Sequence, residues 1–221
     1  MKKLNKNSEW DFDKWAKRYD ETIIKAYHNG DWMYKDYVKV LDQVVVFAQD
    51  ILNKPEVVAV DIGIGTGNLS QKFIGKVSHL IGIDPSPEML KLTKKKLPGI
   101  ETKRGDFLKV PLVDNSADLV ISSYAFHHLT HDEKIKAIEE MFRILKNQGD
   151  IIIADLMFAN QKAEKDIKSK LIAENKGKIV TEIEEEYYSY VDTLIQKFTE
   201  LGFITQKKQM TNFVWVISGI R

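Results

Sequence analysis

The residues best suited to chemistry begin at Asp61-Ile62-Gly63-Ile64-Gly65-Thr66-Gly67. Glycines at alternate positions allow a tight turn whose backbone can approach a ligand closely. Asp61 stands just ahead of the turn, and a second carboxylate, Asp84, follows Gly67 by 17 residues. An acid at that interval can accept hydrogen bonds from both hydroxyls of a ribose. The spacing is G-x-G-x-G, with Asn68 where the third glycine of a dinucleotide fingerprint G-x-G-x-x-G would fall. Further on come Gly105-Asp106-Phe107, the run Ser122-Ser123-Tyr124-Ala125-Phe126-His127-His128-Leu129, and Asp155. An ionised carboxylate is a pure acceptor and suits an amino donor, whereas imidazole can donate, accept or take up a proton. With no cysteine, disulfides and thiolate chemistry are excluded. Spacing gives no metal cluster, no nucleophile elbow and no compelling general base.

The elements that must position these groups follow from periodicity. Val57 to Ile62 is a continuous apolar, β-branched run, the pattern of a strand buried on both faces of a parallel sheet. With the glycine turn and a helix from Asn68 carrying Leu69 and Phe73, it makes the first half of a nucleotide-binding βαβ unit. His79 to Asp84 reads as strand two, and Ser86-Pro87-Glu88 as the capped start of a helix that stops at Pro98-Gly99. Strand three spans about 100–103, strand four 117–123 and strand five 150–156. A helix at 131–145 carries Ile135, Ile138, Phe142 and Leu145. Upstream, one helix is expected over 9–28, with Phe12, Trp15, Tyr19 and Ile23 in a stripe. A second is expected over 32–53, with Tyr34, Tyr37, Val38, Leu41, Val45, Ala48 and Leu52 inward. A helix at 183–201 precedes two closing strands, 203–210 and 212–220, joined by so short a turn that they must pair antiparallel. In a doubly wound sheet, ligands sit beyond the carboxyl ends of the strands where the order reverses. Ser123 to His128 and Asp155 should therefore line the site.

Length, composition and charge bound the rest. A chain of 221 residues, 43% hydrophobic and 29% charged, suits one globular domain. The expected division is a helical cap at 1–54 and an α/β core at 55–221, with an insertion at 157–182 that overhangs the site as a lid. A net charge of +1 gives no basic excess for nucleic acid. The absence of an 18-residue apolar run and of a signal-like N-terminus leads to an expected cytoplasmic location, as a monomer or homodimer.

D-x-G-x-G-T-G followed by a strand ending in Asp84 resembles the class I S-adenosylmethionine (SAM) methyltransferases. Trp15-Ala16-Lys17-Arg18-Tyr19-Asp20 resembles the W-A-x-x-Y-D signature ahead of the core in many small-molecule methyltransferases. Together with Gly105-Asp106-Phe107, Ala125 to Leu129 and the closing Asn212-Phe213-Val214-Trp215-Val216, the chain is similar over nearly its whole length to the YrrT-type methyltransferases. The resemblance implies a doubly wound, Rossmann-like sheet of seven strands, ordered 3-2-1-4-5-7-6 with strand seven antiparallel. It implies SAM as cofactor, bound through Tyr19, Asp61, Gly63, Gly65, Gly67, Asp84, Met89, Asp106, Phe107 and Ser123. In this scheme Tyr19 closes over the methionine end, Met89 packs on the adenine, Asp106 accepts from its amino group and Phe107 flanks the ring. One departure is that Asp84 stands where glutamate is often seen.

The implied reaction is in-line transfer of a methyl group from a sulfonium to a small-molecule acceptor, which Phe126, His127, His128 and Asp155 would border. Alignment of reactants supplies much of the rate, roughly 7–11 kcal/mol when orientation is good. A general base is required only for an acceptor that arrives protonated. Two other functions would use the same turn. A nicotinamide-dependent dehydrogenase is opposed by the glycine spacing and the closing strand pair, whereas a non-catalytic SAM-binding module would share every cofactor motif. Resemblance does not supply the acceptor.

Overall fold

The apolar run ahead of the glycine turn becomes the centre of the sheet. The structure, a computed structural model, describes residue 16 and residues 18–221. Strand β1 (Val58–Ile62) lies between β2 (His79–Asp84) and β4 (Ala117–Ser123), parallel to both. Strand β3 (Glu101–Arg104) extends the sheet beyond β2, and β5 (Leu145–Phe158) extends it beyond β4, again in parallel. A two-residue strand, β6 (Ser189–Tyr190), pairs with the last residues of β5. The chain closes with β7 (Ile204–Gln209) and β8 (Val214–Ile220). Strand β8 is antiparallel to β5, and β7 to β8. The order β3-β2-β1-β4-β5-β8-β7 is the expected 3-2-1-4-5-7-6 once β6 is counted.

Alternation along the central strands sends side chains into two cores. Ala59, Leu119, Ile121 and Ile152 pack toward α2 (Tyr37–Phe47), through Val40, Leu41 and Val44. Val60, Ile62, Val120 and Ile151 pack toward α5 (His131–Ile144) and α8 (Val191–Glu200), through Ile138, Met141 and Phe198. Each such Val, Leu, Ile, Met or Phe side chain contributes about 1.5–3 kcal/mol by leaving water. Capping fixes where helices begin. Ser86 Oγ accepts from Met89 N at the head of α4 (Pro87–Lys96), and Thr130 and Glu133 form a reciprocal capping box at the head of α5.

The N-terminal segment supplies α1 (Tyr19–His28) from the expected first helix; Phe12 and Trp15 lie outside the described residues. Several expectations need correction. The second helix starts at Tyr37, because Asp36 takes a left-handed conformation with φ 62°, and it pauses before a short α3 (Gln49–Leu52). Its buried face is rotated: Val40 and Val44 are buried, whereas Val38 is 41% exposed. After the glycine turn there is one short 3-10 turn, Ser70–Phe73, in place of a full helix, with Leu69 and Phe73 still buried. Strand β5 is twice the expected length. Between β5 and β6 lie α6 (Gln161–Ala173) and α7 (Gly177–Glu184). The expected helix over 183–201 is broken: residues 185–188 form a loop before β6, and α8 begins only at Val191.

Candidate active site

On the β1–β2 side the glycine turn is held by its own backbone and by Asp84. Gly63 N and Ile64 N both donate to Ile83 O, at 2.8 and 3.0 Å. Asp84 is 7% exposed; its Oδ2 accepts from Gly65 N and its Oδ1 from Ser86 N, each at 2.9 Å. One carboxylate thus joins the turn to the head of α4. Gly63 has φ 73°, and a Cβ there would stand 2.5 Å from Ala125 Cβ, so only glycine fits. Asp61 is 1% exposed and accepts from Ser70 Oγ at 2.7 Å. Burial, with Asp84 nearby, pushes its pKa up to about 7 despite that bond.

Helix α1 is latched onto this turn. Asp20 Oδ1 accepts from Thr66 Oγ1 at 2.6 Å and from Asn68 Nδ2 at 3.2 Å, while Oδ2 meets Lys96 Nζ at 3.0 Å. Burial alone would raise the Asp20 pKa, but the bonds from Thr66 and Lys96 outweigh it and hold the carboxyl below its usual range. The latch delivers Tyr19 to a small cleft bordered by Tyr37, Gly63, Gly65, Ser123 and Tyr124. Around the cleft, Tyr34, Tyr37 and Tyr124 stand with ring centroids 5.1 to 5.9 Å apart. Tyr124 sits at φ 49°, a conformation costly for a bulky residue, and its hydroxyl is buried without a partner among the described residues.

The β4–β5 side is organised by Asp155, which is 0% exposed. Its Oδ2 accepts from the backbone N–H groups of Ala125, Phe126 and His127, at 3.2, 2.5 and 3.1 Å. Its Oδ1 accepts from Leu156 N and binds His127 Nδ1, both at 2.6 Å. Burial would raise its pKa, but His127 and these donors bring it below the usual carboxylate range, and the same carboxylate raises that of His127. His128 lies beside His127, with ring centroids 4.1 Å apart, and its Nδ1 is 3.3 Å from Glu186 Oε2. Beneath them Lys134, 1% exposed, donates to the carbonyls of Leu129 and Tyr187. Burial lowers its pKa to about 8.

Of the predicted residues, the structure gathers Tyr19, Gly63, Gly65 and Ser123 around one cleft. Asp84 braces the turn through Gly65 N, Asp61 bonds Ser70 just beyond it, and Gly67 closes it by donating to Ile64 O. Met89 is 3% exposed in the first turn of α4. Asp106 is exposed, and its Oδ1 caps a local turn by accepting from Leu108 N and Lys109 N. Phe107 is buried, its ring 5.4 Å from that of Phe126 and against Gly63. Two residues expected on the acceptor side are deeply buried. Phe126 is 0% exposed and belongs to the core on the α5 face. Asp155 lies behind His127, fully engaged with backbone, and reaches the site only through that imidazole. Sequence reasoning passed over Asp20, although it ends the quoted W-A-x-x-Y-D run, and it placed Glu186 within a helix that is broken at that point.

A parallel sheet closed by an antiparallel pair, with a glycine turn and a polar rim at the carboxyl ends of β1 and β4, defines a methyltransferase of the SAM-dependent fold. Residues 59–149 match the family model described as a methyltransferase domain. The chain is 35% identical over 211 residues to YrrT of Bacillus subtilis (strain 168), an uncharacterized methyltransferase, covering 95% of this chain and 96% of that one. It is 33% identical to the methyltransferase OB1106 of Oceanobacillus iheyensis, covering 94% of each. The chain belongs to this YrrT-type methyltransferase family. Among solved structures, magnesium protoporphyrin IX methyltransferase from Synechocystis PCC 6803, with bound SAH, superposes with a TM-score of 0.71 at 15% identity, over 96% of this chain and 98% of that one. A SAM-dependent methyltransferase from Thermotoga maritima gives 0.62 at 19% identity, over 96% and 98%. Both show the shared fold.

Proposed function

We propose that this chain binds SAM in the cleft between the glycine turn and the tyrosine cluster and transfers its methyl group to a small-molecule acceptor. The observation that carries the reading is the cleft itself. It has a glycine-only approach at Gly63, a carboxylate behind the turn at Asp84, and aromatic faces opposite, one of them Tyr124 in a strained conformation with an unpartnered hydroxyl. These residues fit the cofactor. The carboxylate of Asp84 is an acceptor of the kind ribose hydroxyls need, the open face at Gly65 admits the chain of the ligand, and tyrosine faces attract a sulfonium by cation–π interaction. SAM supplies an already activated methyl group. The protein's part is then to align and to exclude water: the Asp20 latch holds α1 over the turn, and Tyr19 with it. Asp106, through its second oxygen, and Met89 are assigned to the adenine end.

On the acceptor side, Trp32 Nε1 donates to Glu182 Oε2 at 3.0 Å and ties the α1–α2 connection to α7. A cavity of about 780 Å³ lies between that connection, α6 and the β7–β8 turn. The insertion is assigned as the wall that closes over the acceptor. Incubating the protein with isotopically labelled SAM and a metabolite extract tests the reading. Label is expected in a low-molecular-weight product, and SAM consumption with no labelled small molecule contradicts it.

A further inference from the structure

We infer that His127, His128 and Glu186 form a binding site for a first-row divalent metal ion, Zn²⁺ or a close relative, on the acceptor side of the cleft. One ligand atom from each of the three lies within 4.8 Å of the others. Two imidazoles and one carboxylate are a donor set suited to such ions, and three protein ligands leave positions open for another molecule. Bonds of about 2.0–2.2 Å in a tetrahedral shell bring ligand atoms to roughly 3.3 Å from one another. The His128–Glu186 pair already stands at 3.3 Å, so closure is asked only of His127.

The surroundings carry the second half of the inference. Metal-binding histidines characteristically give their other ring nitrogen to a carboxylate, which fixes the ring and its tautomer. His127 does this through Nδ1, at 2.6 Å from Asp155 Oδ1, and Asp155 is itself fixed by four backbone N–H donors. Nε2 of His127 is thereby presented on the other side of the ring. Asp155 and Glu186 set two negative charges against the single ammonium of Lys134, which donates to the Leu129 and Tyr187 carbonyls. The buried hydroxyl of Tyr188, whose ring stands 6.4 Å from that of His127, has no partner among the described residues and can serve a molecule bound to the ion.

Such an ion deepens the methyl-transfer reading, on which its role, though not its existence, depends. It names the acceptor class as a small molecule with a hydroxyl or thiol. Coordination lowers the pKa of the O–H or S–H group, and its proton leaves to solvent. The freed lone pair forms the new bond to the methyl carbon as the donor's carbon–sulfur bond breaks, its electrons remaining on sulfur. One cationic donor and one neutral acceptor thus give a neutral thioether, a methylated product and one proton.

Untagged protein, stripped with chelator and desalted, is titrated with Co²⁺ and then with Zn²⁺. Binding of one Co²⁺ per chain with visible d–d absorption, displaced by Zn²⁺, is expected. Loss of a supporting partner alone weakens metal affinity about 10–100-fold, so Glu186→Gln and His128→Ala should each weaken it by at least ~10-fold. His79→Ala, an exposed imidazole paired with Glu101, should leave it unchanged. Circular dichroism confirms folding of each variant. Calorimetry with SAH runs in parallel on the metal-free chain and is expected to show wild-type affinity in Glu186→Gln. Absence of d–d bands, or binding that both ligand variants leave intact, overturns the site. Loss of SAH binding in the unsubstituted chain breaks the cofactor reading instead.

Discussion

On the β1–β2 side, Gly65 N meets Asp84 across 19 residues of sequence, and Ser70 meets Asp61 across nine. On the β4–β5 side, His128 meets Glu186 across 58 residues, and Trp32 meets Glu182 across 150. The first half is therefore centred on one βαβ unit whose turn is braced by near neighbours, with α1 docked onto it through Asp20 from further up the chain. The second is assembled from a strand end, a broken helix and the α1–α2 connection. Local assembly gives a motif that fixes its residue types. Long-range assembly leaves no spacing to read, and it can change its ligand by altering one loop.

The largest expected effect breaks the long-range half. Asp155→Ala removes the acceptor for four backbone N–H groups and His127, and removal of one member of a buried charged pair costs about 3–5 kcal/mol. Thermal or chemical denaturation should show that loss; a change within 1 kcal/mol would mean that the β4 rim holds its shape without the carboxylate.

On the local half, Asp84→Ala should weaken SAM binding by about 2–4 kcal/mol, roughly 30- to 1,000-fold. Because Asp84 also holds Gly65 N and Ser86 N, about 1 kcal/mol of stability should go with it. Asp84→Asn should lose less of both. Unchanged affinity by calorimetry would confine Asp84 to bracing the turn.

Asp61 gives the comparison a pH axis. Its pKa is near its ordinary value of 3.8 in the unfolded chain and about 7 in the fold. The stability it contributes is thus fully present below about pH 4 and lost as pH rises toward 7. Asp61→Asn, whose carbonyl can still accept from Ser70, removes that dependence. The variant should gain on the parent with rising pH, by about 2–4 kcal/mol at neutrality. Parallel stability–pH curves would refute the burial account. The smallest effect is expected at Tyr19: Tyr19→Phe keeps the ring and should cost about 1 kcal/mol or less in SAM affinity. Equal affinity in both Phe and Ala variants would leave Tyr19 as packing only.

What could be read in advance follows the same division. Val57 to Ile62, the glycine spacing and Asp84 determine the sheet centre and the turn, because each is a run of neighbours under one steric rule. The closing strands were legible because a short turn admits only antiparallel pairing. Asp20 was visible as part of a motif, but its partners Thr66, Asn68 and Lys96 emerge only when α1 docks on the turn. The break at 185–188 was hidden because Ile183, Tyr187 and Val191 keep helical spacing. Tyr187 N instead bonds His127 O at 3.2 Å, and Lys134 takes the Tyr187 carbonyl. Tertiary contacts outweighed local periodicity there. The burial of Phe126 was hidden because alternation along β4 does not survive the 3-10 turn Phe126–His128 that follows it.

Calorimetric titration of SAM and of SAH into the unsubstituted chain tests most directly whether the β1–β4 cleft holds the cofactor. Binding of one molecule per chain for each ligand, weakened in Asp84→Ala, is expected. A chain that is folded by circular dichroism yet gives no binding isotherm with either ligand would contradict the account.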